Sequence, residues 1–173
     1  MITKIKSIVL SSIQTKVLAR AGLFALFLIL ATFAPLLKQQ FITGPIVNAL
    51  LFLSTVYLGI SAGLLISFLP SIFAFFIGLL PLLLMPMIPF IIISNAVLVL
   101  SFGIFRKKSF WLSAISASLL KFLFLFTSSS FIINFFIKQS LPEKIVSMMI
   151  WPQLITALSG ALIAFIVLKI KYE

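Results

Sequence analysis

Long runs of apolar residues follow one another along the chain, separated by short clusters of basic residues and prolines. Several runs reach the length of about 20 residues that an α-helix needs to cross a bilayer. The pattern predicts an all-α integral membrane protein in which residues 1–173 form a single membrane domain. Six transmembrane helices are expected, at about residues 17–37, 45–58, 60–80, 87–105, 109–131 and 145–170.

The uncharged segment from Pro45 to Pro81 decides the number of helices. As one helix it would extend about 55 Å, nearly twice the hydrocarbon thickness of about 30 Å. The segment must therefore fold back on itself. We expect the break between Gly59 and Gly63, with Pro70 as a candidate bend in the second half.

The basic residues indicate an orientation, because Lys and Arg are enriched on the cytoplasmic side of membrane proteins. With six spans and both termini in the cytoplasm, nine flanking basic residues lie inside and three outside, whereas five spans would divide them six to six. The nine are Lys4, Lys6, Lys16, Arg20, Arg106, Lys107, Lys108, Lys169 and Lys171, and the three are Lys38, Lys138 and Lys144. Six spans with cytoplasmic N- and C-termini are therefore preferred.

The N-terminal residues 1–16 place Ile2, Ile5, Val9 and Ile13 near one helical face. This pattern is typical of a helix that lies in the membrane interface. Contact with a cytoplasmic partner is the alternative.

The amino-acid composition argues against a soluble protein, an enzyme or a metal site. The 173 residues are 63% hydrophobic and 9% charged, against roughly half and a quarter in soluble domains. The net charge of +11 lies at the edges of apolar segments, so it indicates membrane orientation and no nucleic acid. Cys and His are absent, only Glu143 and Glu173 are acidic, and no P-loop is present. We therefore expect no enzyme, metal site or cofactor.

Lys121 lies near the middle of the fifth predicted span, where an ammonium costs about 2.5–3.5 kcal/mol. Snorkelling or pairing with backbone carbonyls would explain it structurally. The sequence offers no acid within the membrane to pair with it, which favours a counter-charge for an anionic or carbonyl-bearing ligand.

Other polar residues are predicted in the outer half of the membrane, with Asn48 close to the surface and Trp151 as a candidate stacking wall. With Lys121 they could line one small-molecule pocket open to the outside, although hydrogen bonds between helices explain any single member equally well. These candidate substrate-binding residues are Asn48, Asn95, Trp151, Gln153 and Thr156.

Small residues mark a second surface on the first helix, at Ala21, Gly22 and Ala25. Membrane helices associate through such residues because their backbones can approach closely. Packing within the chain is the default explanation, and docking of another subunit is the more specific functional explanation.

Four segments together resemble the S components, or substrate-binding subunits, of energy-coupling factor (ECF) transporters. They are Thr43-Gly44-Pro45-Ile46-Val47-Asn48, Pro86-x-x-Pro89 leading into Ser94-Asn95, Ala117 to Phe122 around Lys121, and Trp151-Pro152-Gln153-Leu154-Ile155-Thr156-Ala157 before Gly160. The resemblance implies a six-helix bundle with cytoplasmic termini, in the plasma membrane of a prokaryote, that captures a vitamin or its precursor from the outer face. It also implies docking of Ala21 and Ala25 on a transmembrane coupling subunit carried by two ATPase subunits, whose ATP hydrolysis topples the loaded S component.

Two other hypotheses remain open at this stage. A non-transporting scaffold, similar to rod-shape-determining membrane proteins, would have no buried ligand pocket. A self-sufficient carrier or channel would need inverted repeats or a continuous polar lining, and neither is evident in the sequence.

Overall fold

The computed structural model of the chain describes residues 2–79, 82–135 and 151–172, and these residues form helices and turns only. The helices are α1 (Ile2–Phe33), α2 (Gln40–Tyr57), α3 (Ile60–Ile66), α4 (Leu69–Phe76), α5 (Ile88–Phe105), α6 (Phe110–Phe135) and α7 (Trp151–Tyr172). Short 3₁₀ turns at Ala34–Leu37 and Leu82–Met87 follow α1 and precede α5. The predicted linker 137–144 and the first residues of the sixth predicted span, 145–150, lie outside the described residues.

Five segments of the described chain are long and apolar enough to cross a membrane. They are Ile13–Leu37, Gln40–Tyr57, Met85–Phe105, Phe110–Phe131 and Trp151–Ile170. The third predicted span corresponds to the shorter apolar segment Ile60–Phe76. Six crossings and cytoplasmic termini therefore stay predictions, whereas the all-helical, multi-span architecture is observed.

The third predicted span is two short helices in the structure because proline interrupts its hydrogen bonding. Pro70 has no N–H to donate to the carbonyl of Ile66, so α3 ends there and α4 begins at Leu69. The preceding reversal between α2 and α3 occurs at Gly59, whose φ of +98° favours glycine.

Two other helices begin earlier than the sequence pattern suggested. α2 starts at Gln40 and carries Pro45 inside it, where the proline removes one hydrogen bond near the helix end. α1 runs from Ile2 to Phe33 without a break after residue 16. The interfacial placement of residues 1–16 stays a prediction.

α2 is the central helix of the bundle, and more than half of its span is buried against its neighbours. It packs most extensively against α7, while α5 packs on α6 and α6 on α7. The two helices approach closely at Gly160, where a Cβ atom would come within 2.8 Å of the Pro45 carbonyl oxygen. Glycine at this position lets the two backbones meet.

At the opposite end of α2, Arg106 secures the helix terminus. Its guanidinium donates to the carbonyl oxygens of Thr55 at 2.8 Å and Val56 at 3.0 Å. These carbonyls lie in the last turn of α2, where the helix dipole attracts a cation. α5 is thereby tied to α2 at the end of the bundle that holds Arg106.

Candidate functional site

A cavity of about 110 Å³ opens at the end of the bundle where α2, α5 and α7 begin. Its polar lining comes from Gln40, Thr43, Asn48, Ser71, Asn95, Lys121 and Gln153. The rest of the wall is apolar and comes from Pro35, Val47, Pro70, Ala74, Leu79 and Ile91, with Gly44 beside them. A mostly apolar wall with a few placed polar groups is characteristic of small-molecule sites.

Lys121 carries the one formal charge among these lining residues and is 3% exposed. Its Nζ donates to Asn48 Oδ1 at 2.6 Å and to Asn95 Oδ1 at 2.7 Å. Both distances are at the short end of the range, as expected when the donor is charged. Three helices, α2, α5 and α6, thus meet through one ammonium group.

The ammonium has no carboxylate partner in this part of the chain. No Asp or Glu occurs between Met1 and Pro142, and the two hydrogen bonds are to neutral amides. Amide dipoles solvate the charge and leave its sign unchanged. Among the described residues, this buried ammonium therefore has no carboxylate to balance its charge.

The helix packing explains how Asn48 reaches Lys121. Gly160 of α7 lies directly against Asn48, where a Cβ atom on the glycine would be 2.6 Å from the Asn48 Cβ. One turn nearer the helix start, a Cβ on Gly44 would be 2.7 Å from the Thr156 Cβ. The two glycines bring α2 onto α7 and leave the Asn48 amide aimed at α6.

The end of α1 and the start of α4 complete the cavity. Thr43 Oγ1 donates to the Ala34 carbonyl oxygen at 3.2 Å, which ties the start of α2 to the end of α1. Asn95 Nδ2 lies 3.5 Å from Ser71 Oγ, at the limit of a hydrogen bond. The break before α4 thus places Ser71 on the cavity wall.

The structure brings four of the six residues that the sequence singled out to this cavity. Asn48, Asn95, Lys121 and Gln153 line it, and their role in binding stays a prediction.

The other two of the six lie elsewhere. Trp151 is 65% exposed and stacks on Phe122, with ring centroids 5.6 Å apart and planes 26° apart. Thr156 is buried against Gly44 and donates to the Gln153 carbonyl oxygen at 3.2 Å, so it supports the packing of α2 on α7.

Sequence reasoning missed Ser71, Gln40 and the apolar part of the wall. Ser71 directly follows Pro70, and a polar residue beside a helix-breaking proline within an apolar run was a usable signal. Gln40 precedes the predicted start of the second span and was treated as part of a loop. The earlier start of α2 is what brings Gln40 to the cavity.

The proposed docking residues lie on the outside of the bundle. Ala21, Gly22 and Ala25 are exposed on α1, and a Cβ atom added at Gly22 would meet nothing within 4 Å. Small residues are therefore not used here for packing against the described part of the chain.

Comparison with known proteins identifies one family. No curated protein and no solved structure is significantly similar to the chain. Residues 16–172 match the family described as ECF transporter, substrate-specific component. This match covers all of the helices that form the cavity. The chain therefore belongs to the substrate-specific, or S, components of ECF transporters.

Proposed function

We propose that this chain is the substrate-binding membrane subunit of an ATP-driven importer and captures a vitamin or related small molecule from the outer face of a prokaryotic plasma membrane. The observation that carries the proposal is the buried Lys121, which donates to Asn48 and Asn95 and lines the cavity at one end of the bundle. Family membership supports a transport subunit with substrate specificity rather than an enzyme.

Capture from outside follows from the place of the cavity and the predicted topology. The cavity lies where α2, α5 and α7 begin, whereas Arg106, Lys107 and Lys108 follow the end of α5. Basic clusters of this kind favour the cytoplasmic side, which leaves the cavity toward the outside. Release into the cell then requires the loaded subunit to reorient, and toppling in the membrane accomplishes this.

The energy for reorientation comes from partners, since the sequence contains no P-loop. We assign the surface of Ala21, Gly22 and Ala25 as the docking site for a transmembrane coupling subunit. Two ATPase subunits bind that coupling subunit in turn. The open space above Gly22 supports this assignment, because a partner helix can approach the α1 backbone there.

The scaffold hypothesis accounts less well for these observations. A scaffold would place its polar groups in contacts between helices and would have no need of a ligand cavity. Here the three bonded side chains of Lys121, Asn48 and Asn95 also line an accessible cavity. That combination favours ligand binding.

The first experiment measures thermal unfolding of the detergent-purified protein across a panel of vitamins and their precursors. A ligand at 100 times its Kd adds about 2.7 kcal/mol to the free energy of unfolding. We expect one compound to raise the Tm of the wild type and of Lys107→Met, an exposed control, but not of Lys121→Met. No shift with any compound, in protein shown to be folded, would contradict the proposal.

The second experiment tests transport directly. The chain is reconstituted in liposomes with a coupling subunit and two ATPase subunits, and uptake of the compound found in the first experiment is measured with and without ATP. ATP-dependent uptake that Lys121→Met abolishes supports the proposal. Binding without any uptake in this assembly would contradict the importer assignment and leave only a binding protein.

A further inference from the structure

The arrangement of hydrogen-bond donors around Lys121 follows from the orientation of the Asn48 and Asn95 amides. A lysine ammonium donates up to three hydrogen bonds and accepts none. Asn48 and Asn95 must therefore turn their oxygens toward Lys121, as they do at 2.6 and 2.7 Å. Their NH₂ groups necessarily point away from the ammonium.

Among the described residues, these NH₂ groups make only one weak hydrogen bond. Asn95 Nδ2 reaches only Ser71 Oγ, at 3.5 Å, and Asn48 Nδ2 donates to no acceptor among the described residues. The third N–H of Lys121 also has no acceptor there. Since all three residues line the cavity, the wall combines a positive charge with unused N–H donors.

The buried charge of Lys121 determines which ligand charge the cavity favours. A neutral ligand would leave the buried ammonium uncompensated, and a cationic ligand would add a like charge in a place of low dielectric. An anion neutralises Lys121 and accepts from the free donors at the same time. Binding of an anion would therefore give an acceptor to the third N–H of Lys121 and to amide N–H groups that are unused or weakly used among the described residues.

The number of charges distinguishes between classes of anion. A phosphate monoester carries about −1.5 to −2 at neutral pH and is usually met by several cationic groups. Among the described lining residues a single ammonium is present, and the rest of that wall is mostly apolar. One carboxylate on a small, largely apolar body fits both features.

We infer that the substrate is a small organic monocarboxylate whose carboxylate is bound by Lys121 Nζ together with the amide N–H groups of Asn48 and Asn95. This inference rests on the function proposed above and specifies the substrate class of the same cavity. The carboxylate approaches from the cavity side, so the ammonium keeps its two amide partners when the ligand is bound.

The test uses matched pairs of compounds that differ in the charged group only. Nicotinate and nicotinamide form one pair, pantothenate and panthenol another, and biotin and its primary amide a third. Binding is measured by calorimetry in detergent and by thermal shift. Loss of one charged hydrogen-bonded contact corresponds to about a ten- to hundredfold weaker affinity. We expect the acid of at least one pair to bind and its neutral twin to bind at least tenfold more weakly.

A charge-changing variant tests the role of the ammonium without removing it. Asn48→Asp has nearly the same shape and places a carboxylate beside Lys121, so the protein itself neutralises the charge. We expect acid affinity to fall at least tenfold and the affinity of the neutral twin to change less. Thr55→Val is the control, because the Thr55 hydroxyl is buried on the same helix, does not line the cavity and donates to the Leu51 carbonyl oxygen.

The outcomes separate this inference from the proposed function. Preference for a neutral compound over its acid, or unchanged acid affinity in Asn48→Asp, overturns the monocarboxylate inference. If that neutral compound is also imported with ATP, the proposed function stands without the inference. Tighter binding of phosphate esters than of carboxylates likewise overturns it. No binding of any acid by folded protein overturns the inference, and the absence of all uptake overturns the proposed function as well.

Discussion

Gly160 offers a direct test of how the bundle positions Asn48. In Gly160→Ala, the new Cβ would lie 2.6 Å from Asn48 Cβ, 2.8 Å from the Pro45 carbonyl oxygen and 2.9 Å from the Ala49 nitrogen. Two of these three atoms belong to the α2 backbone, so rotation of a side chain cannot relieve the overlap. α2 and α7 must separate by several tenths of an ångström.

The size of the effect follows from two opposing terms. Overpacking of a tight contact costs about 1–3 kcal/mol. Alanine regains about 1 kcal/mol over glycine through its helix propensity. We therefore expect a net loss of about 1 kcal/mol, with about 2 kcal/mol as the upper end, which lowers the Tm of a chain of this size by about 2–8 °C. Because α2 moves, ligand affinity should fall as well.

The matched control is Gly22→Ala, in which the same change is made where no atom lies within 4 Å. Only the propensity term acts there, so we expect the Tm to stay the same or rise by a few degrees. Both variants and the wild type are unfolded thermally in the same detergent. If Gly160→Ala proves as stable as Gly22→Ala, the close approach of α2 and α7 is wrong, and so is the account of how Asn48 is positioned.

Three further variants test other parts of the structure. Arg106→Met removes two hydrogen bonds to the last turn of α2 and should lower stability by about 1–2 kcal/mol, whereas Lys107→Met should change the Tm little; equal effects would contradict the capping role. Lys121→Met should leave the unliganded protein folded, with a Tm lower by at most about 10 °C, while removing ligand binding, and a collapse in stability would instead make Lys121 a structural residue. Gly22→Leu should keep the ligand-dependent Tm shift but abolish ATP-dependent uptake in the reconstituted assembly, and full uptake would exclude this face of α1 as the docking surface.

The sequence was sufficient for the class of protein, because lipid imposes strict requirements. Each crossing needs a long apolar helix, and the apolar runs between the basic clusters are long enough to form such helices. Side chains this apolar are stable in lipid and not in water. The glycine turn was also accessible, since Gly59 interrupts an apolar run that is too long for one crossing. These features depend on local composition and length.

The helix boundaries near prolines were harder to predict from the sequence. Pro45 is a good first residue for a helix, and the sequence pattern therefore placed the start of α2 there, but the helix begins at Gln40. Pro70 was a candidate bend and instead separates α3 from α4. Whether a proline starts, bends or ends a helix depends on which neighbouring helices pack around it, and sequence periodicity contains no such information.

The candidate site shows the same division. A predicted position in the outer half of the membrane was enough to group Asn48, Asn95 and Lys121, because the rise per residue gives each one an expected height along its helix. Depth alone says nothing of the direction in which a side chain points around its helix. Trp151 was grouped with them by depth, yet it faces Phe122 outside the cavity.

The energetics of Lys121 connect the fold to the function. Insertion of an ammonium at this depth costs about 2.5–3.5 kcal/mol, and each of its hydrogen bonds to a neutral amide returns about 1.5–3 kcal/mol. The two bonds together return about 3–6 kcal/mol, so they offset the insertion cost and leave a net contribution to stability between about 0 and 3 kcal/mol. Among the described residues, the same ammonium leaves one N–H without an acceptor and orients two amides so that their NH₂ groups point away from it, one of them bonded only weakly to Ser71. An ammonium whose insertion cost is offset by two hydrogen bonds, and whose third N–H has no acceptor among the described residues, is best explained by the ligand that it binds.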